Sequence, residues 1–230
     1  MKKRRLAIIG MGRMGRAIEE LAPGMGWDVC ATFDSRSATI AGESLRGADV
    51  AVEFTEPTAA VANIRACVMA NCPVVTGTTG WYTELPTVQR EVVETGGSLL
   101  WAPNFSLGVN VLEALVRVAG KLLAGNGEFD AHIVETHHSA KKDAPSGTAV
   151  SLRDALASAL SRDVPVTSVR TGSVPGTHEV IFDAPFEQVV LRHEARDRRV
   201  FAAGALTAAA WLIGRSGVFT MRDVLAGEGA

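Results

Sequence analysis

A short apolar run that leads directly into closely spaced glycines constrains the fold of this chain more than any other feature of its sequence. Residues 6–9 are Leu-Ala-Ile-Ile, as expected of a parallel strand that is buried on both faces. The run continues into Gly10-Met-Gly12-Arg-Met-Gly15, and a helical pattern covers residues 13–21. Strand, G-x-G-x-x-G turn and helix in this order are typical of a dinucleotide-binding βαβ unit.

The three glycines of this turn have different expected roles. Gly10 permits the tight turn, Gly12 lets the backbone approach a pyrophosphate, and Gly15 allows the helix to pack closely on the strand. The alternative interpretation is a coincidental glycine-rich turn, which the ordered strand and helix around it disfavour. The predicted cofactor-binding residues of this turn are Gly10, Met11, Gly12, Arg13, Met14 and Gly15.

An acidic residue follows the second predicted strand, residues 27–33. Asp34 is placed to accept hydrogen bonds from both ribose hydroxyls of NAD. Arg36 lies two residues further on, and a guanidinium there is suited to the 2′-phosphate of NADP. The sequence therefore predicts NADH and/or NADPH as cofactor and leaves the preference open.

Strand and helix patterns alternate up to residue 101. Strands are predicted at residues 50–54, 73–76 and 98–101, with helices at 59–70 and 86–95, which favours a mostly parallel sheet. Gly77-Thr-Thr-Gly80 follows the fourth strand, at the edge where open α/β sheets bind ligands. We predict that Gly77, Thr78 and Thr79 contact the cofactor, although a simple tight connection would have the same sequence.

The pattern changes after Ala102-Pro-Asn-Phe-Ser106, so we place a domain boundary near Asn104. A helix over residues 107–123 precedes strands that alternate apolar and polar residues, as in a sheet with one covered face. These strands are predicted at residues 129–135, 167–170, 177–182 and 188–193. The predicted fold class is thus α/β, a Rossmann-type domain followed by an α+β domain.

Two histidines and two lysines precede a helix start in the stretch Glu135-Thr-His-His-Ser-Ala-Lys-Lys-Asp-Ala-Pro-Ser-Gly-Thr148. Pro145 disfavours helix at the residue before it, and Ser146 is a natural cap for a helix over 147–159. A helix N-terminus and nearby cations favour an anion that carries more than one carboxylate. The alternative is a solvated, lysine-bearing loop before an ordinary capped helix.

Composition excludes several partners. The chain has 230 residues, 47% of them apolar, and a net charge of −2 without a long basic run, so we expect no nucleic-acid or membrane partner. Its three cysteines lack metal-ligand or redox spacing, which suits a cytoplasmic protein. No segment has the roughly 18 uninterrupted apolar residues of a membrane span.

Through these motifs the chain resembles the 4-hydroxy-tetrahydrodipicolinate (dihydrodipicolinate) reductase family over nearly its whole length. The resemblance implies a cyclic dicarboxylate substrate, reduced with loss of water, in lysine and diaminopimelate biosynthesis. It also implies a dinucleotide-binding domain of residues 1–104 and 209–230, a substrate domain of 105–208 with a mixed, mostly four-stranded sheet, and a homotetramer. The matching blocks are Gly10–Gly15, Gly77–Gly80, Ala102–Ser106, Glu135–Thr148, residues 199–211 and Met221–Leu225.

The resemblance also implies roles for individual residues. His137 would be the general acid, and Lys141 the ammonium that polarises or protonates the developing enamine. His138 and Lys141 would hold one carboxylate, and Gly147 and Thr148 the other. Further cofactor contacts are implied where the two domains meet, at Ala102, Pro103, Asn104 and Phe105. The family often carries Arg-His where this chain has Ser139-Ala140.

The sequence also leaves other function classes open. His132, His178 and His193 lie on predicted strands away from the loop, and we expect them to be ordinary sheet residues. Pooling them with the histidine pair instead suggests a metal-dependent hydrolase. That interpretation lacks an H-x-x-x-H or H-x-H spacing, so we predict no metal site. A nucleotide-sensing module would leave the cations unexplained. Another two-domain hydride-transfer enzyme is the nearest alternative, since a Rossmann half does not specify a substrate.

Overall fold

The computed structural model describes residues 3–36, 40, 43–45 and 47–227. By its internal contacts the chain forms two compact units. The first comprises residues 1–106 and 199–230, and the second comprises residues 107–198. Among the described residues, the helices are all too short or too polar to cross a bilayer.

A six-stranded sheet forms the centre of the first unit, and each of its adjacent described strand pairs is parallel. Its order is β2-β1-β3-β4-β5-β10. The central strands are buried on both faces, which explains why their sequences are continuous apolar runs rather than alternating patterns. The strands are β1 (Arg4–Ile9), β2 (Trp27–Phe33), β3 (Val50–Glu53), β4 (Val74–Thr76), β5 (Ser98–Trp101) and β10 (Gly217–Phe219).

Helices pack on both sides of this sheet, as the Rossmann prediction requires, and that prediction is confirmed. α6 contacts α1 and strands β3, β4 and β5 through small residues. A Cβ at Gly204 in α6 would collide with the carbonyl of Phe105, so glycine permits this close approach. The helices are α1 (Arg13–Leu21), α2 (Pro57–Met69), α3 (Leu85–Glu94), α6 (Arg199–Leu212) and α7 (Met221–Ala226).

The contact-based division differs from the predicted domain limits at the second boundary. A boundary between residues 208 and 209 would cut α6, whereas the contacts keep the whole of Arg199–Leu212 with the first unit. The physical reason is that α6 packs against the parallel sheet along its length. The first boundary falls at residues 106 and 107, near the predicted Asn104.

The second unit is a four-stranded mixed sheet with helices over one face, and this part of the fold prediction is confirmed. The order is β7-β6-β8-β9, with β6 and β7 parallel and the other two pairs antiparallel. Leu112, Leu152 and Phe182 belong to the core between helices and sheet. The elements are α4 (Leu107–Leu123), β6 (Asp130–His137), α5 (Gly147–Leu160), β7 (Val166–Arg170), β8 (Thr177–Ala184) and β9 (Glu187–Glu194).

Strand β6 is longer than its sequence pattern predicts. The predicted end was Glu135, but Thr136 pairs with Thr177 and His137 pairs with Arg170, so the ladder continues for two residues. His137 therefore lies on a strand and not in the loop where the sequence placed it. This matters for function, since a strand holds its side chain more firmly than a loop does.

Candidate active site

A cavity of about 750 Å³ opens in the first unit where β1, β2 and β3 end. Its size lies within the usual range for small-molecule and cofactor sites. The structure brings five of the predicted cofactor residues together at its wall: Gly10, Met11, Gly12, Asp34 and Arg36. Sequence reasoning missed Arg16, Thr55 and Asn63, which also line it.

The three glycines of the turn meet different surroundings. Gly10 has a φ of +97°, and a Cβ there would collide with the carbonyl of Phe54. A Cβ at Gly15 would collide with the Gly10 carbonyl, so Gly15 lets α1 approach the strand. No described protein atom lies within 4 Å of a Cβ placed at Gly12, which leaves its face open for a pyrophosphate.

The two other residues of the turn, Arg13 and Met14, lie outside the lining of the cavity. Both form the first turn of α1. Backbone N–H groups at such a helix start have no partner within the helix, so an anion there is favoured without side-chain contact. Cofactor contact by Arg13 and Met14 stays a prediction.

Asp34 and Arg36 form a pair at the rim of this cavity. The Asp34 carboxylate accepts two hydrogen bonds from Arg36, one from the backbone N–H at 2.9 Å and one from the side-chain Nη2 at 2.9 Å. The hydrogen bond and charge of Asp34 raise the pKa of the guanidinium. The Arg36 side chain is 89% exposed, so it can meet a phosphate on the solvent side as well as Asp34.

A buried carboxylate connects the cavity to the Gly77-Thr-Thr-Gly80 turn. Glu53, at the end of β3, is fully buried and accepts hydrogen bonds from the Thr55 N–H at 3.1 Å and the Thr78 hydroxyl at 3.1 Å. The Thr55 hydroxyl also donates to it, and the Thr55 N–H lies 2.8 Å from the Thr78 oxygen. Sequence reasoning missed Glu53, although an acid that ends an otherwise apolar strand was a usable signal.

The other predicted cofactor residues of the first unit do not line the described cavity. Phe105 is buried and packs edge to face on Phe54, with ring centroids 5.6 Å apart. The Asn104 side chain accepts a hydrogen bond from the Ser106 N–H at 2.8 Å. Contact with the cofactor stays a prediction for Gly77, Thr78, Thr79, Ala102, Pro103, Asn104 and Phe105.

In the second unit a carboxylate, a histidine and an arginine meet at the ends of β6 and β7. Glu135 is fully buried, and its Oε2 contacts Nδ1 of His137. Arg170 Nη2 donates to Glu135 at 2.6 Å and to the backbone carbonyl of Asp143 at 2.6 Å. Burial opposes ionisation of Glu135, but hydrogen bonds from Arg170 and Ser168 and the nearby positive charge lower its pKa to about 2.

His178, on β8, belongs to the same cluster, which corrects the expectation that it is an ordinary sheet residue away from the loop. Its ring contacts that of His137 edge to face, with centroids 5.2 Å apart. Its Nε2 lies 3.1 Å from the hydroxyl oxygen of Ser146, which caps α5 by accepting from the Ala149 N–H. Burial, then the nearby His137, lowers the pKa of His178 to about 4, so its ring is neutral at pH 7.

The loop between β6 and α5 carries the predicted lysine. Lys141 Nζ lies 2.8 Å from one Asp143 oxygen and 2.9 Å from the other, and its side chain is 22% exposed. The loop backbone is held by the His138 N–H, which donates to the Val174 carbonyl at 2.8 Å. α5 begins at Gly147, so the predicted substrate residues Gly147 and Thr148 form the first turn of a capped helix.

One trio in this cluster has the composition of a metal site. Ligand atoms of Glu135, His137 and His178 lie within 4.8 Å of one another, among the described residues. However, the Arg170 guanidinium donates to the same carboxylate at 2.6 Å, and its positive charge would repel a second cation. We therefore interpret the trio as a carboxylate–histidine network, and the sequence prediction of no metal site stays a prediction.

Comparison with known proteins identifies relatives of both units. A family model described as dihydrodipicolinate reductase, N-terminus, matches residues 4–105, and one described as dihydrodipicolinate reductase, C-terminus, matches residues 108–225. A 4-hydroxy-tetrahydrodipicolinate reductase of Christiangramia forsetii is 34% identical, across 96% of this chain and 97% of the relative. The 4-hydroxy-tetrahydrodipicolinate reductase of Thiobacillus denitrificans is 36% identical, across 96% of this chain and 98% of the relative.

Solved structures show the same two-part fold. A dipicolinate-bound dihydrodipicolinate reductase from Paenisporosarcina sp. TG-14 superposes with a TM-score of 0.80 at 20% identity, covering 95% of this chain and 97% of that one. The DAP dehydrogenase of C. glutamicum superposes with a TM-score of 0.59 at 14% identity, and the superposition covers 100% of this chain and 97% of that one. At these identities the superpositions establish the fold alone.

Proposed function

This chain belongs to the dihydrodipicolinate reductase family. On that basis we propose which of its residues bind the cofactor, which bind the substrate and which transfers the proton. The chain is an NAD(P)H-dependent oxidoreductase that reduces 4-hydroxy-tetrahydrodipicolinate to tetrahydrodipicolinate with loss of water, in lysine and diaminopimelate biosynthesis.

The first unit suits the nucleotide. The open face of Gly12 leaves room for a pyrophosphate, and Asp34 at the cavity rim suits ribose hydroxyls. The bound nicotinamide supplies the hydride, and the protein's part in this unit is to hold the cofactor. Glu53 accepts hydrogen bonds from both Thr55 and Thr78, which fixes these two residues relative to each other. It would thereby hold the turn that carries the proposed nicotinamide contacts at Gly77, Thr78 and Thr79.

The second unit suits the doubly charged substrate, and one observation carries this assignment. The Lys141 N–H donates to the carbonyl of His138 at 3.1 Å, which ties the lysine to the residue after His137, and both lie shortly before the capped start of α5. His138 and Lys141 would bind one carboxylate, and the N–H groups of Gly147 and Thr148 the other. Protonated His137 would then deliver the proton that accompanies the hydride.

A coupled assay tests the proposal. The cyclic substrate is generated from pyruvate and aspartate semialdehyde, and the oxidation of NADH and of NADPH is followed separately. We expect substrate-dependent oxidation of at least one reduced cofactor, with the preference decided by Asp34 and Arg36. Cofactor binding without such oxidation would instead indicate a sensing module.

Gly12→Ala is expected to weaken cofactor binding without destabilising the fold. The added methyl meets no protein atom within 4 Å, so the free energy of unfolding should fall by no more than about 1 kcal/mol, the range for a poor N-cap residue. It would occupy the space proposed for the pyrophosphate, so the Kd for NADH or NADPH should rise about tenfold or more. Fluorescence titration and thermal unfolding measure the two effects.

A matched substitution serves as control for Gly12→Ala. Gly24 lies in the short 3₁₀ turn after α1, and a Cβ there also meets no described atom within 4 Å. It does not line the cavity. Gly24→Ala should therefore leave cofactor Kd unchanged. An unchanged Kd in Gly12→Ala as well would remove Gly12 from the proposed pyrophosphate site.

We further propose that the enzyme is a cytoplasmic homotetramer that assembles through the sheets of its second units. The face of this sheet opposite α4 and α5 carries apolar residues that remain partly or largely exposed: Val134, Val169, Ile181 and Val190. A half-exposed apolar sheet face in a single chain favours burial against a second copy. Light scattering should then give four times the chain mass of 24.2 kDa.

A further inference from the structure

The two nitrogens of the His137 ring have different neighbours. Nδ1 contacts Oε2 of Glu135, whose side chain is fully buried. The opposite edge of the ring faces Gly176, where an added Cβ would lie 3.0 Å from Nε2 and 3.3 Å from Cδ2. The space beside Nε2 therefore exists because residue 176 has no side chain.

Glu135 is held as a charged acceptor by groups other than His137. Arg170 donates to it at 2.6 Å, and the Ser146 N–H donates at 3.3 Å. These donors use Oε1, whereas His137 contacts Oε2. The carboxylate is therefore anchored on one oxygen and presents the other to Nδ1 of the ring, an arrangement that favours a hydrogen on Nδ1.

The backbone around Gly176 is fixed rather than adaptable. Its φ is +155°, at the edge of the region that favours glycine, and its carbonyl accepts from the Ala195 N–H at 2.8 Å. Neighbouring Val174 accepts from the His138 N–H, so the same segment also holds the residue that follows His137. A side chain at 176 would have little freedom to turn away from Nε2.

We propose that Glu135 is a positioning residue for the reaction: together with the glycine at 176, it selects Nε2 of His137 as the atom that exchanges the proton with substrate. This inference rests on the proposed role of His137 as general acid. It adds two residues that the sequence left without a role in the chemistry, and it assigns a specific nitrogen to the proton transfer.

Charged and titratable groups face His137 from each neighbouring element. They are Glu135 on its own strand, Lys141 in the loop, Arg170 on β7 and His178 on β8, and Asp143 pairs with Lys141. Burial lowers the pKa of His137, Glu135 raises it, and Lys141 and Arg170 lower it. Among these contributions from described residues, the Glu135 carboxylate is the one that favours the imidazolium form.

Glu135→Gln tests the inference, because the amide keeps the shape of the side chain and removes its charge. In the wild type, nitrogen-15 spectra of the imidazoles should show neutral His137 with its hydrogen on Nδ1. In the variant, the Nε2–H form should become populated and the His137 pKa should fall. We expect kcat to fall about 10- to 100-fold with KM within a few-fold.

The pH dependence of kcat separates a positioning role of Glu135 from a purely structural one, because loss of structural support alone would not shift it. An acid works only while protonated, so kcat falls as the pH rises through the pKa of His137. Removal of Glu135 lowers that pKa, so the alkaline limb should shift to lower pH. An unchanged tautomer, pKa and alkaline limb in Glu135→Gln would overturn the proposal.

Two further variants keep the test decisive if Glu135→Gln folds poorly. Glu113→Gln makes the same substitution on α4 of the same unit, where Glu113 pairs with Arg117 instead of His137. It should change neither tautomer nor kcat. Gly176→Ala keeps the Glu135 contact and covers Nε2, so it should lower kcat while the Nδ1–H form persists. Wild-type kcat in Gly176→Ala would overturn the assignment of Nε2.

The spectroscopic measurement needs no turnover. If the wild type fails to reduce the cyclic substrate, the proposed roles in that reaction fail, but the tautomer of His137 still reports whether Glu135 positions the ring. If the wild type turns over and the tautomer is insensitive to Glu135→Gln, the positioning role fails while the reaction stands.

Discussion

Lys141→Ala is expected to lower kcat by about 10²-fold or more and to leave the Kd for NADH within a few-fold. The ammonium of Lys141 is proposed to bind a substrate carboxylate and to stabilise the charge that develops during reduction. It belongs to the second unit, whereas the proposed cofactor cavity belongs to the first, so nucleotide binding should not depend on it. Steady-state kinetics and a fluorescence titration measure the two quantities.

Lys142→Ala is the matched control, since it removes an identical charge at the next position. Lys142 is exposed, and we expect its variant to retain near-normal kcat and KM. Near-normal turnover in Lys141→Ala would remove Lys141 from the mechanism. Equal losses in both variants would show that the loop contributes only general positive charge.

The pairing of Lys141 with Asp143 adds a detail to this prediction. Both Asp143 oxygens lie within 2.9 Å of the ammonium, which is the arrangement a substrate carboxylate would need. Substrate binding would therefore exchange one carboxylate for another. The Asp143 side chain is 57% exposed, so water can solvate the carboxylate that is released, and the exchange should cost little.

Arg170→Met is expected to lower the free energy of unfolding by about 3 kcal/mol at pH 7. The substitution keeps much of the side-chain volume but leaves the fully buried Glu135 carboxylate without its guanidinium partner. The contact with the Asp143 carbonyl is lost as well, so the loop that carries Lys141 should loosen. Urea unfolding followed by circular dichroism measures the change.

The pH dependence of stability tests the same ion pair in the wild type. The pKa of Glu135 is lowered from 4.5 to about 2 in the folded protein, so its contribution is fully present above pH 4.5. It should be lost as the pH falls from about 5 to about 2, and the loss should be about 3 kcal/mol. In Arg170→Met this acid-dependent loss should shrink, because the Glu135 pKa rises.

Arg153→Met is the control for Arg170→Met. Arg153 lies on α5 of the same unit and pairs with Asp154 at 2.8 Å, with side chains 36% and 62% exposed. Such pairs contribute about 1 kcal/mol or less. A loss in Arg153→Met as large as that in Arg170→Met would mean that burial of the charge is not what makes Arg170 important.

The sequence located the nucleotide half well because its signals are local. The apolar run before Gly10, the glycine spacing and Asp34 after β2 lie within one βαβ unit, where neighbours in sequence are neighbours in space. The predicted elements of both sheets were found for the same reason, since each strand has its own pattern of apolar and polar residues. Continuous apolar runs predicted the doubly buried parallel strands, and alternating runs predicted a second sheet with one covered face. The mixed order of that second sheet was implied only by the family resemblance.

The network around His137 was decided by tertiary structure alone. Arg170 lies 35 positions after Glu135 and Ser146 lies 32 positions before His178, yet each pair is in hydrogen-bonding contact. These contacts depend on the register of β6 against β7 and β8, and a shift of one residue would turn every side chain to the other face. One chain's sequence does not reveal register between distant strands. The family resemblance could therefore indicate His137 and Lys141 as candidates, but the sequence did not indicate the groups that hold them in place.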